Sequence, residues 1–534
     1  MCNRVSGFPY LFLLWCFLGC APLYAQQCPI IPMPRTAHPG SGHFSLNTQT
    51  RIWVETPELN HAGDYLSKEI MRYHDLLLQV HDTETRGIHL GVDSTLAREA
   101  YTLDIRSEGI EIQGGSPAGV FYGVVSLLQL VREQADSGDI RLDCWHIEDA
   151  PRYAWRGLML DVSRHFISKG KICELLDWMA FYKLNRLHLH LSDAPAWRIE
   201  IKQYPKLTQI GARGDYADPD LPPAYYTQAD IAYIVAYAAQ RHITILPEID
   251  MPGHASAANR AYPAYNGGGT PAHPDFTFDP GKPETYTYLS QILQEVNHLF
   301  PAHMIHLGGD EVSFGMEAWK QNPGITALME AHHLPDLQAV EHYFMERMAD
   351  SLRQIGARVA VWDEMAEANL PVDSTIVYWW RHDQPQQFIA ALQKGYPVVA
   401  CPRLPLYFDF VQDSTHHIGR KWSGDYNSLQ DVYTYNLESF QHKAAAGQIL
   451  GIQANLWTER IHSPEKLDFM LFPRIAALAE MTWTVSGKKD FLRFEENLKQ
   501  HLIYYQNEGI YYYDPFANTH AEPDDRERPP KYPY

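Results

Sequence analysis

The sequence predicts an α/β protein in which a (β/α)8 TIM barrel follows a smaller α+β domain. After residue 150, eight short apolar runs recur, and each is followed by polar or glycine-rich residues and then by a longer stretch with helical spacing. Before residue 150, strand-like runs and an apolar helix occur without that regular repeat. Eight strands alternating with helices are what a parallel barrel requires. A chain of 534 residues is long enough to bury the cores of two domains.

Four parts are predicted along the chain. Residues 1–25 are a signal peptide, residues 26–150 an N-terminal α+β domain without a catalytic set of residues, residues 151–490 the barrel with the candidate site, and residues 491–534 a C-terminal helix and tail. In the N-terminal domain, strands are predicted at Arg51–Val54 and Ile88–Val92, a hairpin at 101–112, and a helix at Ala118–Val131.

The N-terminus has the pattern of an export signal. Arg4 supplies a positive charge, Tyr10–Leu18 an apolar run too short to span a bilayer, and Leu23-Tyr24-Ala25 a cleavage site. A lipoprotein signal acylated at Cys20 is the second interpretation, and both predict an exported protein, periplasmic or secreted. Cleavage at Ala25 leaves four widely spaced cysteines without a C-x-x-C motif, Cys28, Cys144, Cys173 and Cys401. Buried free thiols are expected, and a disulfide between Cys28 and Cys144 stays open.

Composition narrows the range of partners. The chain carries 44 basic and 64 acidic residues, a net charge of −20, which would repel nucleic acid and anionic membranes. Aromatic residues make up 12% of the chain, with 13 Trp and 32 Tyr. Flat aromatic faces suit sugar rings, although most Trp and Tyr residues only pack in cores.

The predicted barrel strands place polar residues at their C-terminal ends, where TIM barrels carry their active sites. The strand predictions are 157–161, 186–191, 243–249, 304–307, 359–362, 376–380, 397–400 and 449–454. Helices are predicted between them at 170–182, 228–240, 283–299 and 337–355. The residues that follow the strands include Asp161 with Ser163-Arg164-His165, Asp193, Asp250 with His254, Asp310 with Glu311, Trp362, Trp380 with Arg381, Tyr407 with Asp409 and Trp422, and Trp457 with Glu459.

The segment His306-Leu307-Gly308-Gly309-Asp310-Glu311 is the centre of the predicted site. Neighbouring residues of a regular strand point to opposite faces, so two adjacent acids can serve one cavity only where the chain leaves the strand. The two glycines make such a turn plausible. An arbitrary Asp-Glu pair is usually a solvated loop, but the apolar residues that precede this one favour a site.

The motifs together resemble those of the family 20 glycoside hydrolases, the β-N-acetylhexosaminidases. The resemblance runs from Gly119-Val120-Phe121-Tyr122-Gly123 to Trp457-Thr458-Glu459 and includes Arg156-Gly157-x-x-Leu160-Asp161-x-Ser163-Arg164-His165-Phe166, Pro247-Glu248-x-Asp250-x-Pro252-Gly253-His254 and His306-x-Gly308-Gly309-Asp310-Glu311. One segment departs from the family pattern. Asp193-Ala194-Pro195-Ala196-Trp197 stands where Asp-Asp-Gln-Gly-Trp is expected, which concerns the side of the site that holds the leaving group.

The resemblance implies a retaining reaction in which the 2-acetamido oxygen of the sugar attacks its own anomeric carbon. Asp310 then orients the acetamide, and Glu311 is the general acid and later the base. The implied substrate-binding residues are Arg156, Asp193, His254, Trp362, Trp380, Tyr407, Asp409, Trp422, Trp457 and Glu459. Asp193 and His254 would order the acid, Tyr407 would donate to the acetamide oxygen, and Arg156, Asp409 and Glu459 would contact hydroxyl groups. No cofactor or metal is implied, and the partners are oligosaccharides or glycoconjugates that end in N-acetylhexosamine.

Two alternatives stay open from the residues. His188-x-His190 in a strand resembles a metal-binding pair, although two histidines packed inside the barrel with hydrogen-bonded rings are the favoured interpretation. Full activity after exhaustive chelation would eliminate a metal-dependent hydrolase. A sugar-binding protein without catalysis is the other alternative, and the presence of both Asp310 and Glu311 disfavours it. The sequence leaves the choice between glucosamine and galactosamine substrates and the oligomeric state undetermined.

Overall fold

The computed structural model describes residues 1, 27–83, 86–132, 140–517 and 521–523. Within these residues, an open sheet built from residues 36–149 precedes a closed barrel whose strands lie between residues 155 and 456. The predicted fold class is therefore confirmed. The predicted boundary at residues 150 and 151 falls in the connection between the two sheets.

The N-terminal domain packs two helices against a seven-stranded sheet, as counted over the described residues. The strands are β1 (Thr36–Leu46), β2 (Arg51–Val54), β3 (Gln79–His81), β4 (Gly87–Val92), β5 (Tyr101–Arg106), β6 (Gly109–Gly114) and β7 (Ile140–Asp149), and the helices are α1 (Asn60–His74) and α2 (Pro117–Arg132). The strand order is β1-β7-β5-β6-β4-β2-β3. The antiparallel pairing of β5 with β6 confirms the predicted hairpin. Helix α2 is buried on almost all sides, as expected for a helix that is apolar around its circumference.

The barrel consists of eight parallel strands within the described chain. They are β8 (Trp155–Asp161), β9 (Arg186–His190), β10 (Thr244–Glu248), β13 (Met304–His306), β14 (Arg358–Trp362), β15 (Thr375–Trp379), β16 (Val398–Ala400) and β17 (Ile449–Leu456), while β11 (Asn266–Gly268) and β12 (Thr277–Phe278) pair separately. Each predicted strand lies within two residues of an observed one at both ends. Because β17 pairs with β8, the barrel closes, and all C-terminal strand ends meet at one mouth.

The helices that follow the strands surround the barrel. They are α3 (Lys169–Phe181), α4 (Lys206–Gln209), α5 (Gln228–Ala239), α6 (Ser256–Ala261), α7 (Pro283–Leu299), α8 (Pro323–His332), α9 (Leu337–Gln354), α10 (Pro385–Lys394), α11 (Arg403–Leu406), α12 (Leu429–Thr434), α13 (Glu438–Gln441), α14 (Pro464–Leu471), α15 (Arg474–Trp483) and α16 (Phe491–Asn507). Several begin at a side chain that accepts a backbone N–H, which satisfies part of the exposed first turn. Ser168 caps α3, and Thr227 forms a capping box with Asp230 at α5.

The interior of the barrel is unusually polar. Small barrels of this kind are commonly filled with Val, Ile and Leu. Here His188, Glu248, His306 and Gln453 are fully buried, and Trp362 is 1% exposed. Buried polar groups of this kind require hydrogen-bonding partners, which this layer supplies to Glu248 from several strands.

Arg156 lies at the end of the barrel opposite the mouth, so its prediction as a substrate-binding residue is wrong. It stands near the start of β8, whereas Asp161 ends that strand about 16 Å away at a rise of about 3.3 Å per residue. Its guanidinium group pairs with Glu99 of the N-terminal domain at 2.9 Å and also donates to Tyr122 Oη and the Lys183 carbonyl. Arg156 therefore joins the two domains.

The structure tests the predictions about the cysteines but not the prediction of a signal peptide. The predicted signal peptide, including Cys20, lies outside the described residues except for Met1. Among the described helices, none is both long enough and apolar enough to cross a membrane. Cys28, Cys144, Cys173 and Cys401 are free thiols, and three of them are buried. The predicted free thiols are confirmed, and Cys28 and Cys144 do not form a disulfide.

Replacing Arg156 with Met tests its placement between the domains. The variant removes the cation that pairs with Glu99, which keeps Asn185 and Tyr122 as donors, and the donor to two backbone carbonyls. Breaking a fully buried ion pair costs about 3–5 kcal/mol, and Glu99 is partly exposed, so the loss should lie at or below that range. We expect a clear loss of stability in thermal or urea unfolding, with kcat/KM of the folded fraction within about twofold of the unsubstituted protein. A large rise in KM without a loss of stability would indicate that Arg156 binds the substrate after all.

Candidate active site

The turn after β13 brings two acids to the barrel mouth. Gly308 and Gly309 have φ values of +68° and +89°, and Glu311 also lies in the left-handed region at +53°. Gly308 cannot be replaced easily, because an added Cβ would lie 1.7 Å from the Asp250 Oδ1 atom. These conformations end the alternation of a regular strand, and the side chains of Asp310 and Glu311 both approach one histidine.

That histidine is His254, which lies between the acid pair and a second buried carboxylate. Its Nε2 atom is 3.7 Å from Asp310 Oδ2 and 3.6 Å from Glu311 Oε2, and its Nδ1 atom is 3.1 Å from Asp193 Oδ1. Burial opposes a charge on the ring, but Asp193 and Asp310 raise the pKa of His254 well above its ordinary value. Burial also raises the pKa of Asp310; His254 opposes this shift and Glu311 adds to it.

Asp193 is held by three basic side chains. It accepts from His190 Nε2 at 2.8 Å, lies 2.7 Å from Arg164 Nη2 and contacts His254 on its other oxygen. Although burial has the opposite effect, Arg164, His254 and His190 hold the pKa of Asp193 well below its usual range. Asp193 is 2% exposed, so it supports His254 rather than facing the cavity.

A second polar group lies across the mouth, where Arg420 bridges two carboxylates. Its Nε atom is 2.6 Å from Asp409 Oδ2, and its Nη2 atom is 2.9 Å from Glu459 Oε1. Burial raises the pKa of Asp409 to about 6 against the effect of Arg420. The remaining oxygens, Asp409 Oδ1 and Glu459 Oε2, are buried and accept no hydrogen bond from the described residues. They are available to hydroxyl donors of a ligand.

Aromatic rings form the rest of the wall. Trp380 and Tyr407 stack with ring centroids 6.2 Å apart, and Trp457 lies 6.2 Å from Tyr407 and 6.1 Å from Trp362. Trp380, rather than its neighbour Trp379, belongs to this wall, as predicted, because Trp379 packs outward against Phe388 and Phe440. The Trp380 indole is held by Glu364, which accepts its Nε1–H at 3.1 Å.

Trp422 lies at the rim and is 44% exposed, with Arg420 4.5 Å from its ring centroid. Beside Glu311 the wall opens into a further cavity of about 440 Å³, whose lining includes Glu341, Glu364, Trp380 and Arg381. The mouth therefore has a polar end, an aromatic side and open space next to Glu311.

Deeper in the barrel, the predicted histidine pair surrounds Glu248. His190 Nδ1 donates to Glu248 Oε2 at 2.7 Å, and His188 Nε2 lies 2.9 Å from the same oxygen. Trp362 Nε1 donates to Glu248 Oε1 at 2.8 Å. Glu248, His188 and His306 lie close enough together for a metal ion, but both oxygens of Glu248 already accept ring N–H groups. The arrangement is a hydrogen-bonded network, the simpler of the two interpretations of the pair.

The structure brings most of the predicted site residues together at the mouth. Asp310, Glu311, Asp193, His254, Trp362, Trp380, Tyr407, Asp409, Trp422, Trp457 and Glu459 meet there, and Arg156 does not. Two residues were missed. Arg164 lies with its guanidinium 4.9 Å from the Trp457 ring centroid, and its position after β8 was a signal for it. Arg420 had no comparable signal, because it follows Asp409 by 11 residues in a loop.

The segment that departs from the family pattern is folded into the barrel rather than toward the cavity. Ala194, Ala196 and Trp197 are each at most 1% exposed. Arg260 donates to the carbonyls of Ala194 and Pro195, and Ser163 donates to that of Ala196. The changed residues are thus part of the support beneath Asp193.

Comparison with known families decides what this site belongs to. The model of the glycosyl hydrolase family 20 catalytic domain matches residues 153–486, and the model of the family's domain 2 matches residues 27–150. The chain belongs to glycosyl hydrolase family 20. It is therefore a glycoside hydrolase by family, and the resemblance seen in the sequence is confirmed.

Related proteins cover most of this family 20 chain. A β-hexosaminidase of Porphyromonas gingivalis is 34% identical over 92% of the chain, and the chain spans 65% of that relative's length. A β-hexosaminidase of Vibrio furnissii is 33% identical over 85% of the chain and 76% of its own length. A GH20 exo-β-N-acetylglucosaminidase of Vibrio harveyi, solved with N-acetylglucosamine, has a TM-score of 0.85, 32% identity and coverage of 92% of this chain and 79% of its own.

Replacing Arg164 with Met tests whether the missed arginine belongs to the site. The variant removes a charged donor beside Glu459 and Trp457 and one partner of Asp193, and a hydrogen bond to a charged group contributes about 1.5–3 kcal/mol. We expect kcat/KM on an aryl N-acetylglucosaminide to fall about 10–100-fold. The matched control is Arg156→Met, which removes an arginine at the other end of the same strand. Equal kcat/KM values for both variants would contradict the placement.

Proposed function

We propose that the protein is an exo-acting β-N-acetylhexosaminidase that removes terminal non-reducing N-acetylglucosamine or N-acetylgalactosamine from glycans by a retaining, substrate-assisted reaction. The observation that carries the proposal is the approach of Asp310 and Glu311 to the same nitrogen of His254, at 3.7 and 3.6 Å. One acid can then act on the acetamide while its neighbour acts on the glycosidic oxygen. The β-hexosaminidase names of the relatives support the same activity.

In this reaction the acetamide oxygen of the sugar attacks the anomeric carbon of its own ring. An internal nucleophile held in a reactive geometry gains about 7–11 kcal/mol from proximity. Asp310 accepts the acetamide N–H and stabilises the positive charge that develops on the cyclised sugar. Its Oδ1 atom is suited to this role, because it is buried and has no hydrogen-bond partner among the described residues.

Glu311 protonates the leaving oxygen and, in the second half of the reaction, removes a proton from the attacking water. Its side chain is 38% exposed and lines the cavity of about 440 Å³ beside the site, which gives space to the leaving group. His254, fixed by Asp193, stands next to both acids and limits their movement.

The two ends of the mouth support an N-acetylated sugar as the substrate. The indole and phenol rings of Trp362, Trp380, Tyr407 and Trp457 form an apolar box for the acetamide methyl group. The free oxygens of Asp409 and Glu459 accept hydroxyl hydrogens at the opposite end. Arg420 pairs with both carboxylates at this end and is only 18% exposed, which supports a terminal sugar as the substrate. The proposed site of action is outside the cytoplasm, on the basis of the sequence of residues 1–25.

Aryl glycosides with different leaving groups test the roles of the two acids. The unsubstituted protein should hydrolyse 4-nitrophenyl N-acetyl-β-glucosaminide, which a non-catalytic sugar-binding protein would leave intact. Glu311→Gln should lower kcat about 10²–10⁴-fold on a disaccharide, whose sugar leaving group is poor, and much less on a dinitrophenyl glycoside, which needs little acid assistance. Asp310→Asn should slow both classes alike, by about 10²-fold or more, because it impairs the internal nucleophile.

The same two variants also define the results that would contradict these roles. An equal loss on good and poor leaving groups in Glu311→Gln would exclude its role as the acid. A loss confined to poor leaving groups in Asp310→Asn would indicate that the two roles are exchanged. Glu330→Gln, an exposed acid on α8, is the control for a change of charge alone.

A further inference from the structure

One buried acid, Glu248, has no part in the reaction described above. It ends β10 inside the barrel, is fully buried, and makes no contact with the mouth cavity. A carboxylate in such a position is destabilising unless donors surround it. Its presence in a layer that commonly holds Val, Ile or Leu calls for a reason.

Hydrogen-bond donors to Glu248 come from two other barrel strands, β9 and β14, and two further imidazoles lie close to it. Glu248 Oε2 accepts from His190 Nδ1 at 2.7 Å, and Oε1 accepts from Trp362 Nε1 at 2.8 Å. His306 Nδ1 and His188 Nε2 lie 3.0 and 2.9 Å from the carboxylate. Although burial opposes it, these imidazoles hold the pKa of Glu248 well below its usual range, so the group is an anion.

His190 connects this anion to the active site. One ring nitrogen faces Glu248 at 2.7 Å, and the other faces Asp193 Oδ2 at 2.8 Å. An imidazole whose two nitrogens both face carboxylates can donate to both only when it carries two protons. Burial opposes that charge, but Glu248 and Asp193 raise the pKa of His190 well above its ordinary value.

From Asp193 the line of contacts continues to the acid pair. Asp193 Oδ1 lies 3.1 Å from His254 Nδ1, and His254 Nε2 lies 3.6 Å from Glu311 and 3.7 Å from Asp310. The order is carboxylate, imidazole, carboxylate, imidazole, acid. Alternating charges of this kind strengthen one another in a low-dielectric interior.

We propose that Glu248 is a positioning residue for the reaction: by holding His190 as an imidazolium directed at Asp193, it fixes Asp193 and, through Asp193, the position and charge of His254 beside Asp310 and Glu311. The inference rests on the proposed function for its kinetic test but not for its structural one. Glu248 touches neither the sugar nor the leaving group. It acts from the barrel axis through two intermediate side chains.

The charged groups around His190 determine how the loss of Glu248 would change its protonation. Its neighbours with charged or titratable groups come from several elements and are Glu248, Asp193, Arg164, His188, Asp250 and Asp310. Arg164 Nη1 lies 3.3 Å from His190 Nε2, and its positive charge and N–H group oppose a proton on that nitrogen. The carboxylates of Glu248 and Asp193 are nearer, at 2.7 and 2.8 Å, and favour the second proton. Without the charge of Glu248, His190 loses that proton at a lower pH, and Asp193 then loses one of its cationic partners.

The pH dependence of kcat/KM for Glu248→Gln tests this. We expect the alkaline limb to move to lower pH by about one unit or more, in addition to a fall of at least about tenfold at the optimum. Glu248→Asp, which keeps the charge, should restore the alkaline limb to within about 0.3 units even if its rate is reduced. Tyr378→Phe is the matched control, because it changes a side chain that packs on His188 and His306 in the same layer without touching the line of contacts.

A purely structural role for Glu248 would give another result. Glu248→Gln would then lower kcat/KM by the same factor at every pH, and this outcome would overturn the proposal. If Glu248→Gln does not fold, neutron diffraction from deuterated crystals of the unsubstituted protein decides. Deuterium on both ring nitrogens of His190 supports the proposal, and deuterium on only one overturns it. Hydrolysis of an aryl N-acetylglucosaminide by the unsubstituted protein separately tests the proposed function.

Discussion

Two neighbouring side chains of an extended strand point away from each other, and the site depends on a turn that removes this constraint. Gly308, Gly309 and Glu311 all adopt positive φ values directly after β13. Asp250 lies against Gly308 so closely that a side chain there would overlap its carboxylate. The turn therefore cannot form with a larger residue at that position, and without it Asp310 and Glu311 would not both reach His254.

The turn also concentrates negative charge, and the surrounding residues balance it. Two groups of buried carboxylates near the mouth face cations or ring N–H groups: Asp193 faces Arg164 and two histidines, and Asp409 and Glu459 share Arg420. Removing one partner of such a pair is far more costly than replacing both, because the remaining charge stays buried. Among the described residues, one oxygen each of Asp310, Asp409 and Glu459 is buried and has no hydrogen-bond partner. In this account the substrate supplies their missing donors.

Much of the fold could be predicted from the sequence, because the barrel repeats one unit of strand and helix. Strands buried on both faces form continuous apolar runs, and all eight were located. In the N-terminal domain, the strands β1, β3 and β7 and the helix α1 were not predicted. Strand β1 is largely exposed and contains Pro39, Gly40 and Gly42, so no apolar alternation marks it. It is positioned by its antiparallel pairing with β7, which sequence pattern alone does not reveal.

Site residues could be predicted where their position at a strand end places them at the mouth. They could not be predicted where side chains meet across loops. Asp310, Glu311 and His254 follow strand ends, and the structure brings them together. Arg156 was misassigned because it shares a motif with the site residues but stands at the start of its strand, away from the mouth. Arg420 was missed because its loop position carries no periodicity, and its role depends on contacts with residues 11 and 39 positions away.

The central claim is that the acetamide of the substrate is the nucleophile. The most direct test is the rate of hydrolysis of aryl glucosaminides whose N-acetyl group carries none, one, two or three fluorine atoms, since fluorine withdraws electrons from the attacking oxygen with little change in size. If the acetamide is the nucleophile, kcat falls steeply with each added fluorine, by several orders of magnitude over the series. A kcat that changes little across the series would contradict this claim and would assign the displacement to a group of the protein.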